Sequence, residues 1–133
     1  MTKIESDKVE ISISALTIYN SLSDFNNFKK LMPEQVSNWS STKDECSFTI
    51  NGMAPLGMKI VERKPYSEIR IVSHGKIPLI FDLKVLLTEI GENKTMAQLI
   101  FESKLNPMMK MMLEKPLSNF FNMLAGKLKD IKV

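Results

Sequence analysis

The chain has 133 residues, of which 44% are hydrophobic and 25% charged, a composition typical of a globular domain and unlike that of disordered or fibrous proteins. Lysine and arginine together number 18 against 15 acidic residues, and the resulting charge of +3 is spread along the chain. Arginine, the side chain best suited to guanine edges and phosphate, occurs only at Arg63 and Arg70. The sequence therefore predicts one domain over residues 1–133 and disfavours a nucleic-acid partner.

The single cysteine and the N-terminal stretch indicate in which cellular compartment the protein is expected. Cys46 alone excludes an internal disulfide and a CxxC metal knuckle, which fits a reducing environment. The opening "MTKIESDKVEISIS" lacks the apolar core of a signal peptide, and no apolar run approaches the roughly 20 residues that a membrane span requires. We expect a cytoplasmic protein without stable membrane insertion.

In the first third of the chain, the spacing of apolar residues changes once, from every second residue to every third or fourth. In "KIESDKVEISIS", Val9, Ile11 and Ile13 alternate with polar residues, which predicts a first strand. In "SALTIYNSLSDFNNFKKLMP", apolar residues recur every three or four positions, which predicts two short helices. Ser14 or Ala15 begins the first, Asp24 caps the second, and Pro33 ends it.

The middle of the chain, from Val36 to Leu105, consists of short alternating runs separated by turn residues. The runs are "VSNWSST", "CSFTIN", "LGMKIVERK", "SEIRIVSH", "LIFDLKVLLTEI" and "TMAQLIFESKL". The breaks fall at "TKDE", "NGMAP", "KPY", "HGKIP" and "GENK", where Gly, Pro, Asn and Asp favour turns. This pattern predicts six antiparallel strands joined by hairpins.

The last segment has helical spacing. Asn106 is a suitable N-cap, and Pro107 fits the first helical position because its missing donor would have no partner there. A helical wheel predicts a wide apolar face. That face comprises Met109, Met112, Leu113, Pro116, Leu117, Phe120, Met123, Leu124, Leu128 and Ile131.

The predicted order is one strand, two short helices, six strands and one long helix. A sheet of about seven strands needs cover on one face, and the C-terminal helix is the only long element with an apolar side. The fold class is therefore α+β, with the helix lying across a twisted antiparallel sheet.

This arrangement resembles the START-like superfamily, also called SRPBCC or helix-grip proteins, which includes the birch-pollen allergens and small polyketide cyclases. The residues that carry the resemblance are the opening "ISISALTIYNSLSDFNNFKKLMP" and the ending "LNPMMKMMLEKPLSNFFNMLAGKLKDI". The family often has a proline soon after the first strand, where Ala15 or Leu16 stands here. The resemblance implies a curved sheet wrapped around the long helix, with an apolar cavity between them for a lipid-like or polyketide-like ligand.

Strand alternation and helix spacing together predict which residues line such a cavity. Trp39 and Tyr66 each add a polar group that could orient a ligand at the mouth or serve in ordinary packing. We predict no cofactor, metal ligand or catalytic residue, and a monomer or homodimer. The predicted lining residues are Trp39, Phe48, Met58, Ile60, Tyr66, Ile71, Leu83, Val85, Leu99, Phe101, Met109, Met112, Leu113 and Phe120.

Two other functions are compatible with the sequence. A cyclase-like or aromatase-like enzyme could use Glu102 or His74 as a cavity acid or base, although exposed strand carboxylates and turn histidines are commoner. A nucleophilic pair of Cys46 and His74 has no local signature. The chain could instead be a module that presents its sheet edge or long helix to a protein or membrane.

The run "NPMMKMMLEKP" contains four methionines in five residues. Helical geometry divides them, with Met109 and Met112 on the apolar face and Met108 and Met111 away from it, so a copper site is disfavoured. The remaining interpretations are a membrane-surface helix, a filled core, or the adaptable wall of a pocket. Pro116 predicts a kink, because it removes the hydrogen bond to the carbonyl of Met112.

Overall fold

The computed structural model describes residues 2–51, 55–75 and 79–131. The strands are β1 Thr2–Glu5, β2 Val9–Ile11, β3 Val36–Ser41, β4 Glu45–Ile50, β5 Pro55–Lys64, β6 Glu68–Ser73, β7 Phe81–Gly91 and β8 Lys94–Ser103. The helices are α1 Ala15–Leu22 and α2 Pro107–Lys129, with two short 3₁₀ turns at Phe25–Asn27 and Lys29–Leu31.

All eight strands form one antiparallel sheet in the order β1-β8-β7-β6-β5-β4-β3, and β2 also pairs with β8. The six strands predicted after Val36 are confirmed, as is the hairpin at "GENK", where Gly91 pairs with Lys94 and Asn93 has a φ of 52°. The breaks predicted at "NGMAP" and "HGKIP" lie partly outside the described residues. The α+β helix-grip class is confirmed.

The predicted first strand is two strands, because the chain leaves the ladder after Glu5 and rejoins it at Val9. Ser6 is buried at this break and bridges it. Its backbone amide donates to the carbonyl of Leu99 at 2.9 Å, and its hydroxyl accepts from the Leu99 amide at 2.9 Å. The Ser6 side chain takes over the hydrogen bonding that the interrupted ladder would otherwise lose. The N-terminal segment therefore forms two short strands, β1 and β2, instead of one longer strand, and the sheet has eight strands.

The helical connection between β2 and β3 begins as predicted and ends differently. Ser14 caps α1 by accepting from the Thr17 amide, and Asp24 accepts from the Asn26 amide at 2.9 Å. The second predicted helix forms instead as the two 3₁₀ turns, which are the tighter form used in short pieces. Arg63 of β5 holds this connection, since it donates to the Ser23 carbonyl at 2.7 Å and pairs with Asp44.

The long helix begins as predicted, with Asn106 accepting from the Met109 amide at 2.8 Å and Pro107 at the first position. Its buried face is rotated from the predicted one. Phe121 and Ala125, which the predicted face omitted, are buried, whereas Met112 and Met123 are exposed. The helix therefore presents a narrower stripe to the sheet than its apolar content indicated.

The residues that strand alternation places on the inner face of β4 to β8 are buried. They comprise Phe48, Ile50, Met58, Ile60, Ile69, Ile71, Leu83, Val85, Leu87, Ala97, Leu99 and Phe101. Cys46 of β4 belongs to the same core, and burial raises the pKa of its thiol from 9.0 to about 12, against a smaller lowering by a backbone hydrogen bond at Met58.

Replacing Gly57 tests the closest backbone approach in the sheet. A Cβ at this position would lie 2.1 Å from the His74 carbonyl oxygen, so we expect Gly57→Ala to lower the free energy of unfolding by about 1–3 kcal/mol in urea denaturation. Gly126→Ala is the matched control. No described atom lies within 4 Å of a Cβ built there, and the change should stabilise helix α2 by about 0.5–1 kcal/mol. Equal effects of the two changes would contradict this packing.

Because its thiol is buried, Cys46 should be alkylated slowly in the native protein, and its contribution to the free energy of unfolding should depend on pH. A pKa of about 12 instead of 9.0 lowers the thiolate fraction about 1000-fold below pH 9, so iodoacetamide should label the native protein far more slowly than the urea-unfolded chain.

The raised pKa of Cys46 also makes stability depend on pH. Above pH 9 the thiol of the unfolded chain ionises while the thiol of the folded protein stays protonated, so its contribution to the free energy of unfolding falls as pH rises towards 12. Between pH 8 and pH 10, the free energy of unfolding of the wild type should therefore fall relative to that of Cys46→Ala. Fast iodoacetamide labelling of the native protein would contradict the burial of Cys46.

Candidate ligand site between the long helix and the sheet

The space between helix α2 and the sheet is nearly filled. The enclosed cavity has a volume of about 20 Å³, far below the roughly 300–1,000 Å³ of small-molecule pockets. Seven of the predicted lining residues, which are Phe48, Met58, Leu83, Val85, Leu99, Phe101 and Phe120, do surround it. The other described lining residues are Phe28, Met32, Leu56, Phe81, Phe121 and Leu124.

Aromatic rings account for the filling. Phe48 of β4 stacks on Phe120 of α2 with ring centres 6.5 Å apart, and Phe120 meets Phe121 edge to face at 5.3 Å. Phe121 in turn lies 5.2 Å from Phe101 of β8. Because these rings meet in the middle of the interior, a lipid-sized ligand has no room there unless they move.

An open groove lies beside the filled interior, where the middle of α2 passes the start of β3 and the end of β4. Its volume is about 380 Å³, within the roughly 300–1,000 Å³ of small-molecule pockets. Phe120 lines both the groove and the enclosed cavity, so its ring separates the two spaces. The described residues that line the groove are Gln35, Ile50, Asn51, Met112, Leu113, Pro116, Asn119, Phe120 and Met123.

Three of the residues that line this apolar groove carry side-chain amides: Gln35, Asn51 and Asn119. The Asn51 backbone amide donates to the Gln35 carbonyl at 2.8 Å, which holds the two residues together just beyond β4 and before β3. The Gln35 side chain donates to the Met123 sulfur at 3.4 Å, across the groove. The groove therefore combines apolar walls with neutral donors and acceptors.

Sequence reasoning missed these amides. Gln35 and Asn51 are ordinary turn residues in the sequence, and Asn119 falls on the polar side of the predicted helix. The only sequence signal is the wheel position of Asn119, four residues after Lys115 and four before Met123. The pairing of Gln35 with Asn51 depends on a strand register that the sequence does not reveal.

Several predicted lining residues lie elsewhere. Ile60 and Ile71 are buried in the sheet but do not line either space, and Met109 is half-buried against the core. Trp39 stacks on Phe48 with ring centres 5.4 Å apart, and its indole donates to the Ser41 hydroxyl at 3.1 Å. Tyr66 is 51% exposed in the turn between β5 and β6, with a φ of 64°, because that turn carries it away from the interior.

Most methionine side chains of the run "MMKMM" are exposed to solvent. Met108, Met111 and Met112 are 72%, 85% and 65% exposed, so the expectation that Met112 faces the sheet is wrong. The reason is that the packing of Phe121 on Phe101 turns Met112 outward, to the rim of the groove. Among the residues that the structure describes, no group of three or more His, Cys, Asp or Glu side chains could hold a metal ion.

The residues considered for catalysis lie apart from the groove and the cavity. Glu102 alternates with the buried residues of β8 and pairs in register with Lys3 and Asp82. His74 Nε2 lies 2.9 Å from Glu45 Oε1 on the surface. Cys46 shares a surface depression with His74, but the raised pKa of its thiol disfavours the thiolate that nucleophilic catalysis needs.

No model of a known protein family matches the sequence, and no curated protein matches it. Solved structures do match the fold. The Aha1 dimer from Colwellia psychrerythraea has a TM-score of 0.71 at 18% identity, with 98% of this chain and 95% of that chain covered. A START superfamily protein from Mycobacterium smegmatis has a TM-score of 0.69 at 16% identity, over 98% and 99% of the two chains.

A third match is the di-domain ARO/CYC protein BexL, with a TM-score of 0.77 at 13% identity. The alignment covers 98% of this chain and 46% of BexL, as expected for one domain of two. The overall fold of this chain is thus similar to those of all three proteins. The chain has a START-like helix-grip fold.

Proposed function

We propose that the protein binds a small hydrophobic molecule in the groove between α2 and the ends of β3 and β4. The observation that carries the proposal is the groove itself, about 380 Å³ in volume, with apolar walls and three neutral amides. Removal of apolar ligand surface from water would supply most of the affinity, and the amides would orient a carbonyl or hydroxyl group. A lipid-like or polyketide-like molecule has this chemistry.

The groove is a better candidate than the enclosed cavity because of its size. About 20 Å³ holds no such ligand, whereas Phe120 forms a wall common to both spaces. Rotation of the Phe120 ring away from Phe48 would connect them and let the apolar end of a ligand reach the interior. The adaptable side chains of Met112 and Met123 line the groove and suit ligands of varied shape.

The fold adds general support, since one similar structure is a START superfamily protein and another is an ARO/CYC protein. We favour binding over a cyclase reaction because, among the described residues, neither the groove nor the cavity is lined by an ionisable acid or base. A cytoplasmic location and a monomeric or homodimeric state remain part of the proposal. Among the helices of the described residues, none is long and apolar enough to cross a membrane.

Blocking the groove tests the proposal. Nile red, a neutral hydrophobic dye, should show a blue-shifted and enhanced emission with the purified protein. Met123→Trp places a large ring at a half-exposed position on the groove wall, and we expect it to weaken dye binding at least about tenfold.

Met111→Trp is the matched control, because Met111 is 85% exposed and does not line the groove. This variant should bind the dye within about twofold of the wild type. Thermal unfolding of both variants checks that they remain folded. Equal dye binding by the two variants, or no bound small molecule in native mass spectra together with no dye response, would overturn the proposal.

A further inference from the structure

Two segments expose large apolar side chains at one end of the molecule. Met108 and Met111 lie in the first turns of α2, and Ile80, just before β7, is 72% exposed. The sheet brings these segments together, since Phe81 pairs with Ser103 and the Ser103 hydroxyl donates to the Ile80 carbonyl, three residues before the Asn106 cap. We call Ile80, Met108 and Met111 the apolar rim.

The apolar rim is distinct from the proposed ligand groove. None of its three residues lines the groove. Met108 projects from the side of α2 opposite Leu117 and Phe121, which pack on the sheet, and Met111 lies at the flank of the helix beside β1, where it lines an open depression with Lys3 and Lys110. The methionine side chains of the rim are exposed, unbranched and flexible.

Positive charge surrounds the apolar rim. Lys104 is exposed two residues before the cap of α2, and Lys110 and Lys115 flank Met111 on the helix. Lys3 of the neighbouring strand β1 faces the same side of the helix. The described acidic residues there are Glu114, which pairs with Lys110 at 3.8 Å, Glu5, which pairs with Lys3 at 3.3 Å, and Glu102, which lies opposite Lys3 in the register of β1 and β8.

We propose that the apolar rim docks the protein on the surface of an anionic lipid bilayer, with Ile80, Met108 and Met111 entering the interface and Lys104, Lys110 and Lys115 contacting lipid phosphates. Exposed apolar side chains with lysines around them match an interfacial helix. The excess of lysines complements a negative surface, whereas a second copy of the chain would bring like charges together. The docking is peripheral, because none of the described helices can cross a membrane.

Vesicle flotation tests the docking with the full chain. We expect binding to vesicles of phosphatidylcholine mixed with phosphatidylglycerol, and at least about tenfold weaker binding to phosphatidylcholine alone or at high salt. The double change Met108→Asp and Met111→Asp should reduce binding to the mixed vesicles at least about tenfold, since it places charge where the apolar side chains enter.

The control carries the same added charge elsewhere. Leu16 of α1 and Val61 of β5 are each 48% exposed, and the double change Leu16→Asp and Val61→Asp should leave flotation within about twofold of the wild type. Nile red binding should persist in the Met108 and Met111 variant, which separates a failure of docking from a failure of the ligand groove.

Two kinds of result would overturn the proposal. One is a flotation result: either the wild-type protein does not bind the mixed vesicles, or the Met108 and Met111 variant floats as well as the wild type. The other is a wild-type dimer in sedimentation that the same double change converts to a monomer, because the apolar rim would then be covered by a second copy of the chain.

Discussion

Contacts between aromatic rings on the sheet and aromatic rings on the long helix set the rest of the structure. From edge strand β3 across helix α2 to β8 and β7, successive ring centres lie 5.2 to 6.5 Å apart. Each such pair contributes about 0.5–1.5 kcal/mol beyond the burial of its area. The rings, in order of contact, are Trp39, Phe48, Phe120, Phe121, Phe101 and Phe81.

This chain of rings fixes the rotation of α2 about its axis. Phe120 and Phe121 are adjacent in sequence and diverge by about 100° around the helix, yet both are buried because one meets β4 and the other meets β8. With both rings inside, the opposite side of the helix faces away from the sheet. The exposure of Met108, Met111 and Met112 is therefore a consequence of aromatic packing deeper in the fold.

The same packing divides the site into a filled interior and an open groove. Proteins with this fold share the sheet and helix, but the size of the space between them depends on which side chains fill it. Here phenylalanine rings occupy the middle, and the end near Gln35 and Asn51 stays open. Fold similarity to a START superfamily protein and to BexL at 16% and 13% identity consequently says little about where a ligand would lie.

The sequence by itself determined the strands, the helix caps and the inward faces. Strand alternation has a period of two, so a residue such as Leu83 or Leu99 is assigned to a face by its neighbours alone. Asn106 and Pro107 define a helix start by local hydrogen bonding, without tertiary contacts. These features depend on residues close together in the chain, which is why the helix-grip class and the inward faces of the strands could be predicted.

Only the tertiary structure decided what the long helix buries and where the site is open. A helix with apolar residues on much of its surface can pack in several rotations of similar hydrophobic energy, and the contacts of Phe121 with Phe101 select one of them. That choice placed Met112 on the rim of a groove instead of in the core. The groove also needs Gln35 and Asn51 from two strand ends, whose proximity arises from sheet pairing between residues distant in sequence.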